Sequence, residues 1–172
     1  MDADLASELV RSGREALARA DWDGARSCFE RARELAETAE VLDGLSEAAH
    51  FRGEHAEAIE LKERAFAAYR RGDRPIEAAA AARWLAFLYG ALHGNRAAAS
   101  GWMVWAERLL EGAEESLEHG RLVLDGAAWT DDPAERERRA MAALTTARRF
   151  FRKRCPARRP GLKRGCGLRL ES

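Results

Sequence analysis

Ala20-Asp21-Trp22-Asp23-Gly24-Ala25-Arg26-Ser27-Cys28-Phe29-Glu30-Arg31-Ala32, residues 20–32, is the stretch whose reading decides the fold. Asp21 ahead of an apolar residue is a helix start signal. Behind it, Ala25, Phe29 and Ala32 fall at offsets of four and seven, which places them on one helical face. Small side chains there let two helix backbones approach, and the larger one fills the gap beside them. The same spacing returns at Ala58, Lys62, Ala65, at Ala99, Met103, Ala106 and at Ala140, Leu144, Ala147. Self-similarity of this kind is a packing code for stacked helical hairpins.

The rest of the composition agrees. The chain has 172 residues with 36 Ala and 19 Leu, against only 4 Val, 2 Ile and 4 Thr, too few β-branched residues for a sheet core. Further start signals stand at Thr38-Ala39, Asp73-Arg74-Pro75, Asn95-Arg96 and Asp132-Pro133-Ala134-Glu135, and Gly53, Gly72, Gly94, Gly112 and Gly120 read as stops. The spacing predicts eight helices, approximately 4–19, 22–36, 39–52, 55–71, 75–92, 95–111, 113–128 and 132–153. Connections of a few residues make successive helices antiparallel. The expectation is an all-α fold of about four hairpins over residues 1–151, followed by a basic, disordered tail over 152–172.

Charge divides the chain at the same place. Residues 1–147 hold 19 basic and 28 acidic groups, whereas residues 148–172 hold 10 basic and one acidic. The acidic body repels nucleic acid; the tail is able to neutralise phosphates. The tail lacks aromatic stacking residues past Phe151, and Arg, Pro, Gly and Cys enrichment is also what a shifted reading frame of GC-rich DNA yields. A nucleic-acid arm and a scar without function are therefore both open. Cys28, Cys155 and Cys166 leave one thiol unpaired, the acidic start is unlike a secretory signal, and no apolar run is long enough for a membrane span. A cytoplasmic protein is expected.

Chemistry-bearing patterns are scarce. His50, His55, His93 and His119 do not stand two on one helix face with Glu beside the first, so a zinc hydrolase is not suggested. Cys28 beside Phe29 reads as a small buried hydrophobe, and Glu114, Glu115 and Glu118 as an exposed helix face. No nucleophile, base and orienter group together, so neither an enzyme nor a cofactor is expected. Trp102, Trp105 and Leu109 share a face and read as core; Trp22 and Trp129 read as staples closing hairpins. Trp84, Leu88 and Leu92, at four-residue steps, read as core or groove floor.

The code in residues 20–32, with Gly13 and Ala16 before it, and the segment Arg52-Gly53-Glu54-His55-Ala56-Glu57-Ala58 resemble the tetratricopeptide repeat family over roughly residues 6–147. The copies start 33, 41 and 41 residues apart, and Lys62 stands where that family has an aromatic. Ala18-Arg19-Ala20-Asp21-Trp22, Glu40-Val41-Leu42-Asp43-Gly44-Leu45, Leu61-Lys62-Glu63-Arg64-Ala65 and Trp105-Ala106-Glu107-Arg108-Leu109-Leu110 resemble, more narrowly, the helical segments that precede a LuxR-type helix-turn-helix domain in actinobacterial transcription regulators. No helix-turn-helix segment is seen in this sequence. The resemblance implies an α-α superhelix that binds a protein or peptide, as the sensor or partner-binding part of a regulator. It makes Arg14, Asp43, Glu47, His50 and Trp84 groove candidates, although ordinary solvated helix residues read the same way. Asp43 and Glu47, one turn apart, are expected to hold a Lys or Arg of a basic partner or of the chain's own tail. The alternative is a stand-alone regulator that touches nucleic acid through the tail. Phe150 and Phe151, expected to be exposed, suggest self-association through the last hairpin.

Overall fold

The computed structural model describes residues 2–128, 130 and 132–154. Eight α-helices follow one another: α1 Asp2–Ala18, α2 Trp22–Leu35, α3 Ala39–Phe51, α4 His55–Arg71, α5 Pro75–Phe87, α6 Arg96–Leu110, α7 Leu117–Ala128 and α8 Pro133–Arg154. Among the described residues there is no strand. The fold is all-α, with helices packed in consecutive pairs: α1 on α2, α3 on α4, α5 on α6 and α7 on α8. Between pairs, α2 packs on α3 and α4 on α5, whereas α6 meets α7 much more sparingly. First helices of successive pairs also touch, α1 with α3 and α5 with α7.

Local chemistry sets most boundaries. The side chains of Asp21, Thr38 and Asn95 accept hydrogen bonds from the backbone N–H of Gly24, Val41 and Ala98, satisfying donors that have no partner inside the helix. After α4, a left-handed residue is needed, and Asp73 (φ 52°) supplies it where Gly72 was expected to act; Asp73 is therefore a turn residue and not the cap of α5.

Three boundaries differ from expectation. The helix expected over 75–92 is α-helical only to Phe87 and continues as a wide π-helical turn, Leu88–Leu92, held from outside by Tyr89, whose hydroxyl donates to Glu63 of α4. α7 begins at Leu117 and not at 113, because the Ser116 N–H donates to His119 Nδ1 at 3.1 Å, a local clasp the apolar spacing does not announce. Gly120 is no stop: it lies inside α7, where a Cβ would sit 3.5 Å from the Ala143 carbonyl oxygen of α8. The helix α8 runs to Arg154, so residues 152–154 belong to it, and the expected tail from 155 onward lies outside the described residues, as does Trp129.

The core follows the packing code. Ala25, Phe29 and Ala32 are fully buried, as are Ala58, Ala65, Ala99 and Ala106 to within 2 %. Phe29 wedges between α1 and α3: a Cβ on Gly13 would lie 2.8 Å from its ring, and one on Gly44 would overlap it. Burying such a ring stabilises the pair of hairpins by about 1.5–3 kcal/mol. Trp22 stacks on Phe51 with ring centroids 4.3 Å apart, so it staples the first hairpin to the second instead of closing its own. Trp102 and Leu109 pack partly buried against the core, and Trp102 meets the Phe66 ring edge-on at 5.0 Å. Trp105 departs from the core reading: it is 40 % exposed and carries the Arg70 guanidinium over its ring. Leu88 is fully buried and Leu92 exposed.

Candidate functional site

The second copy of the code puts Lys62 in the slot that Phe29 fills in the first, and the slot is as closed: Lys62 is 2 % exposed. A buried ammonium is tolerable only with a close counter-charge. Asp43, on the facing turn of α3, supplies it through its Oδ1, and the Asp43 carbonyl oxygen accepts a second bond from Lys62 Nζ at 3.4 Å. The other carboxylate oxygen, Oδ2, accepts from Arg14 Nη2 of α1 at 2.9 Å and from the Tyr69 hydroxyl of α4 at 3.4 Å. Arg14 Nη1 donates to Glu47 Oε1 at 3.1 Å, one turn along α3.

This set joins α1, α3 and α4 and contains two cations and two carboxylates. Burial pushes the Asp43 carboxyl up, but Lys62 and Arg14 outweigh it and hold the group below its usual range. Burial acts against the Arg14 guanidinium too, and Asp43 with Glu47 raises it above its ordinary value. Burial and the Asp43 charge push the Tyr69 phenol up. Asp43 and Glu47, expected to receive a partner's cation, thus already have two cations of their own chain.

Next along the same face, His50 of α3 sits at the centre of a ring cluster. Its centroid lies 5.3 Å from Trp84 and 5.8 Å from Phe87, both of α5, 5.5 Å from His55 of α4 and 5.0 Å from Phe51. Lys62 Nζ stands 5.6 Å over the Trp84 ring, which links the cluster to the ion set. Phe51 and Phe87 are 48 % and 38 % exposed, while His50 Nδ1, His55 Nδ1 and Trp84 Nε1 are buried without a hydrogen-bond partner among the described residues. Three such atoms in one place are unusual, since buried polar groups are nearly always paired. Burial lowers the His50 pKa, and His55 and Lys62 push it further down.

Farther on, Arg83 of α5 bridges to Glu118 of α7 at 3.3 Å and to Asp125 of α7 at 2.6 Å. Arg14, Asp43, Glu47, His50 and Trp84, five candidates scattered in sequence, therefore fall on one line across α1, α3 and α5. Lys62, Tyr69 and His55 of α4 and Phe87 of α5 adjoin this line, and none of them was among the groove candidates read from the sequence. The available signal was Lys62 itself: a charge in a packing slot demands an acid on the neighbouring helix.

Among the described residues no group of three or more His, Cys, Asp and Glu is placed to hold a metal ion, and no helix is long and apolar enough to cross a membrane. No family model, no curated protein and no solved structure matches the chain.

Proposed function

We propose that the chain is a non-enzymatic helical-repeat module of the tetratricopeptide type that binds a protein or peptide segment along the face of its first helices. The backbones of first helices approach each other, α1 with α3 and α5 with α7, whereas second helices meet through long side chains such as Phe66 with Trp102, which supports an array curved toward the first-helix side. A rigid curved face presents side chains without a large ordering cost. The observation that carries the reading is the ring cluster at His50: half-exposed Phe51 and Phe87 beside three buried nitrogens that lack partners among the described residues. A docked segment that covers Phe51 and Phe87 would remove their exposed faces from water. Arg14, Asp43, Lys62 and Glu47 fix the helices that frame this patch.

The test is selection of a random peptide display library on the full chain, followed by titration of the enriched peptides. Trp84→Ala and Phe87→Ala are expected to weaken binding by about tenfold or more, the scale of an aromatic anchor. Peptides that bind both variants as well as the parent chain would place the site elsewhere, and failure to enrich any peptide would overturn the reading.

The regulator role rests on the resemblance to segments of LuxR-type proteins. The charge division favours a second reading, nucleic-acid contact through the ten basic residues of 148–172. Duplex binding that falls steeply with salt and disappears when those residues are neutralised would support it; binding that persists would assign it to the body.

A further inference from the structure

The fourth copy of the packing code differs from the others in what covers it. In the first three copies each Ala of the code is buried, yet in α8 Ala140 is exposed and Leu144 is 42 % exposed. With Leu124 of α7, 53 % exposed, they line an open groove of about 440 Å³ between the two last helices. Beside it Met141 is 56 % exposed. Such a contiguous exposed apolar surface on a helix pair signals a contact surface.

The outer stripe of α8 reads Glu137, Met141, Leu144, Arg148, at steps of four, three and four, which is the spacing of one helix face. All four are exposed, and neither Glu137 nor Arg148 forms an ion pair among the described residues. Turned about a two-fold axis between residues 142 and 143, the stripe is complementary to itself. Glu137 meets Arg148 of a second copy, Met141 meets Leu144, and the reverse pairs follow by symmetry. Antiparallel α8 helices also set their macrodipoles head to tail.

The other end of the stack does not match this groove. The outward stripe of α1 is mostly charged, with Glu8, Arg11 and Glu15 exposed alongside the single exposed Leu5, and with Arg11 paired to Glu15. Arg121 lines the groove and Arg148 stands at the end of the stripe, so the basic sequence after 154 does not complement this surface in charge. We infer that α8, supported by Leu124 of α7, is an isologous dimer interface whose occupant is a second copy of this chain. This surface shares no residue with the ring cluster at His50.

Sedimentation of the full chain over a wide concentration range tests the inference, with circular dichroism to check that each variant keeps its helices. The parent chain is expected to be a dimer. Glu137→Lys and Arg148→Glu, each alone, are expected to weaken dimerisation by about tenfold, because two opposite-charge contacts become two like-charge contacts. Combining them in one chain, or mixing the two single variants, should restore the dimer. Leu144→Glu should abolish it. A parent chain that stays monomeric, a Glu137→Lys chain that dimerises as before, or growth beyond the dimer in open-ended fashion would each overturn the proposal.

Discussion

The second hairpin and the fourth carry the same spacing and meet opposite fates. Ala58, Lys62 and Ala65 are buried on α4, which packs against both α3 and α5, and even a lysine is drawn into the interior with its counter-charge. Ala140 and Leu144, built to the same pattern, stay in contact with solvent. The junctions differ in the same sense. Where α2 meets α3, Phe29 leaves no room for a methyl on Gly13 or Gly44. Where α6 faces the last pair, a cavity of about 290 Å³ remains, lined in part by Arg96, Ser100, Glu107 and Arg139. A packing code therefore specifies a surface able to accept a neighbour; the neighbour decides whether the surface becomes core.

Lys62→Ala gives the largest expected effect. It removes one partner of a buried pair and opens a cavity, so urea unfolding should show a loss of about 3–5 kcal/mol. Lys62→Met, which refills the space and leaves Asp43 with Arg14, should recover a substantial part; equal losses for the two would deny the slot its packing role. Gly44→Ala follows, with a loss of about 1–3 kcal/mol from the clash with Phe29. Pairing it with Phe29→Leu should cost less than the sum of the two changes, since the smaller side chain makes room.

The weaker junction predicts a localised response. Among the described residues, Arg83→Ala leaves Glu118, 5 % exposed, paired only with Arg121 at 3.5 Å, and should cost about 1–2 kcal/mol. Amide exchange should rise in α7 and α8 while α1 through α4 keep their protection. A uniform rise over all eight helices would erase the distinction between the two regions.

The smallest effect is a pH dependence within the well-packed part. Burial, His55 and Lys62 depress the His50 pKa in the folded chain, so between that value and the unfolded one, about 6.5, the unfolded chain binds more protons. The contribution is whole above about pH 6.5 and declines as pH falls toward the folded value. Stability measured from pH 8 to pH 5 should follow that decline, and His50→Gln should flatten it.

Elements whose signals are local were legible in the sequence. The caps at Asp21, Thr38 and Asn95 act through bonds to N–H groups three residues away, and the starts of α2, α3 and α6 fall close to where those residues put them. The start of α7 was missed because a histidine clasp sets it, and the π-helical turn because Tyr89 reaches Glu63 on another helix. Phe150, expected to be exposed, is half-buried, and the side chain of Phe151 lies outside the described residues. For the candidate line, spacing nominated Arg14, Asp43, Glu47, His50 and Trp84 one helix at a time. That they adjoin, with Lys62 at the hinge of the ion set and the rings, follows only from how three hairpins lie against one another.

By itself the sequence determined what each helix needs: a scarcity of β-branched residues, a recurring small-large-small face and capping side chains, all acting over a few residues. The tertiary structure alone decided which faces are covered, which charges neutralise each other and which nitrogens go without a partner. Burial and Coulomb attraction depend on distances between helices that no single helix encodes.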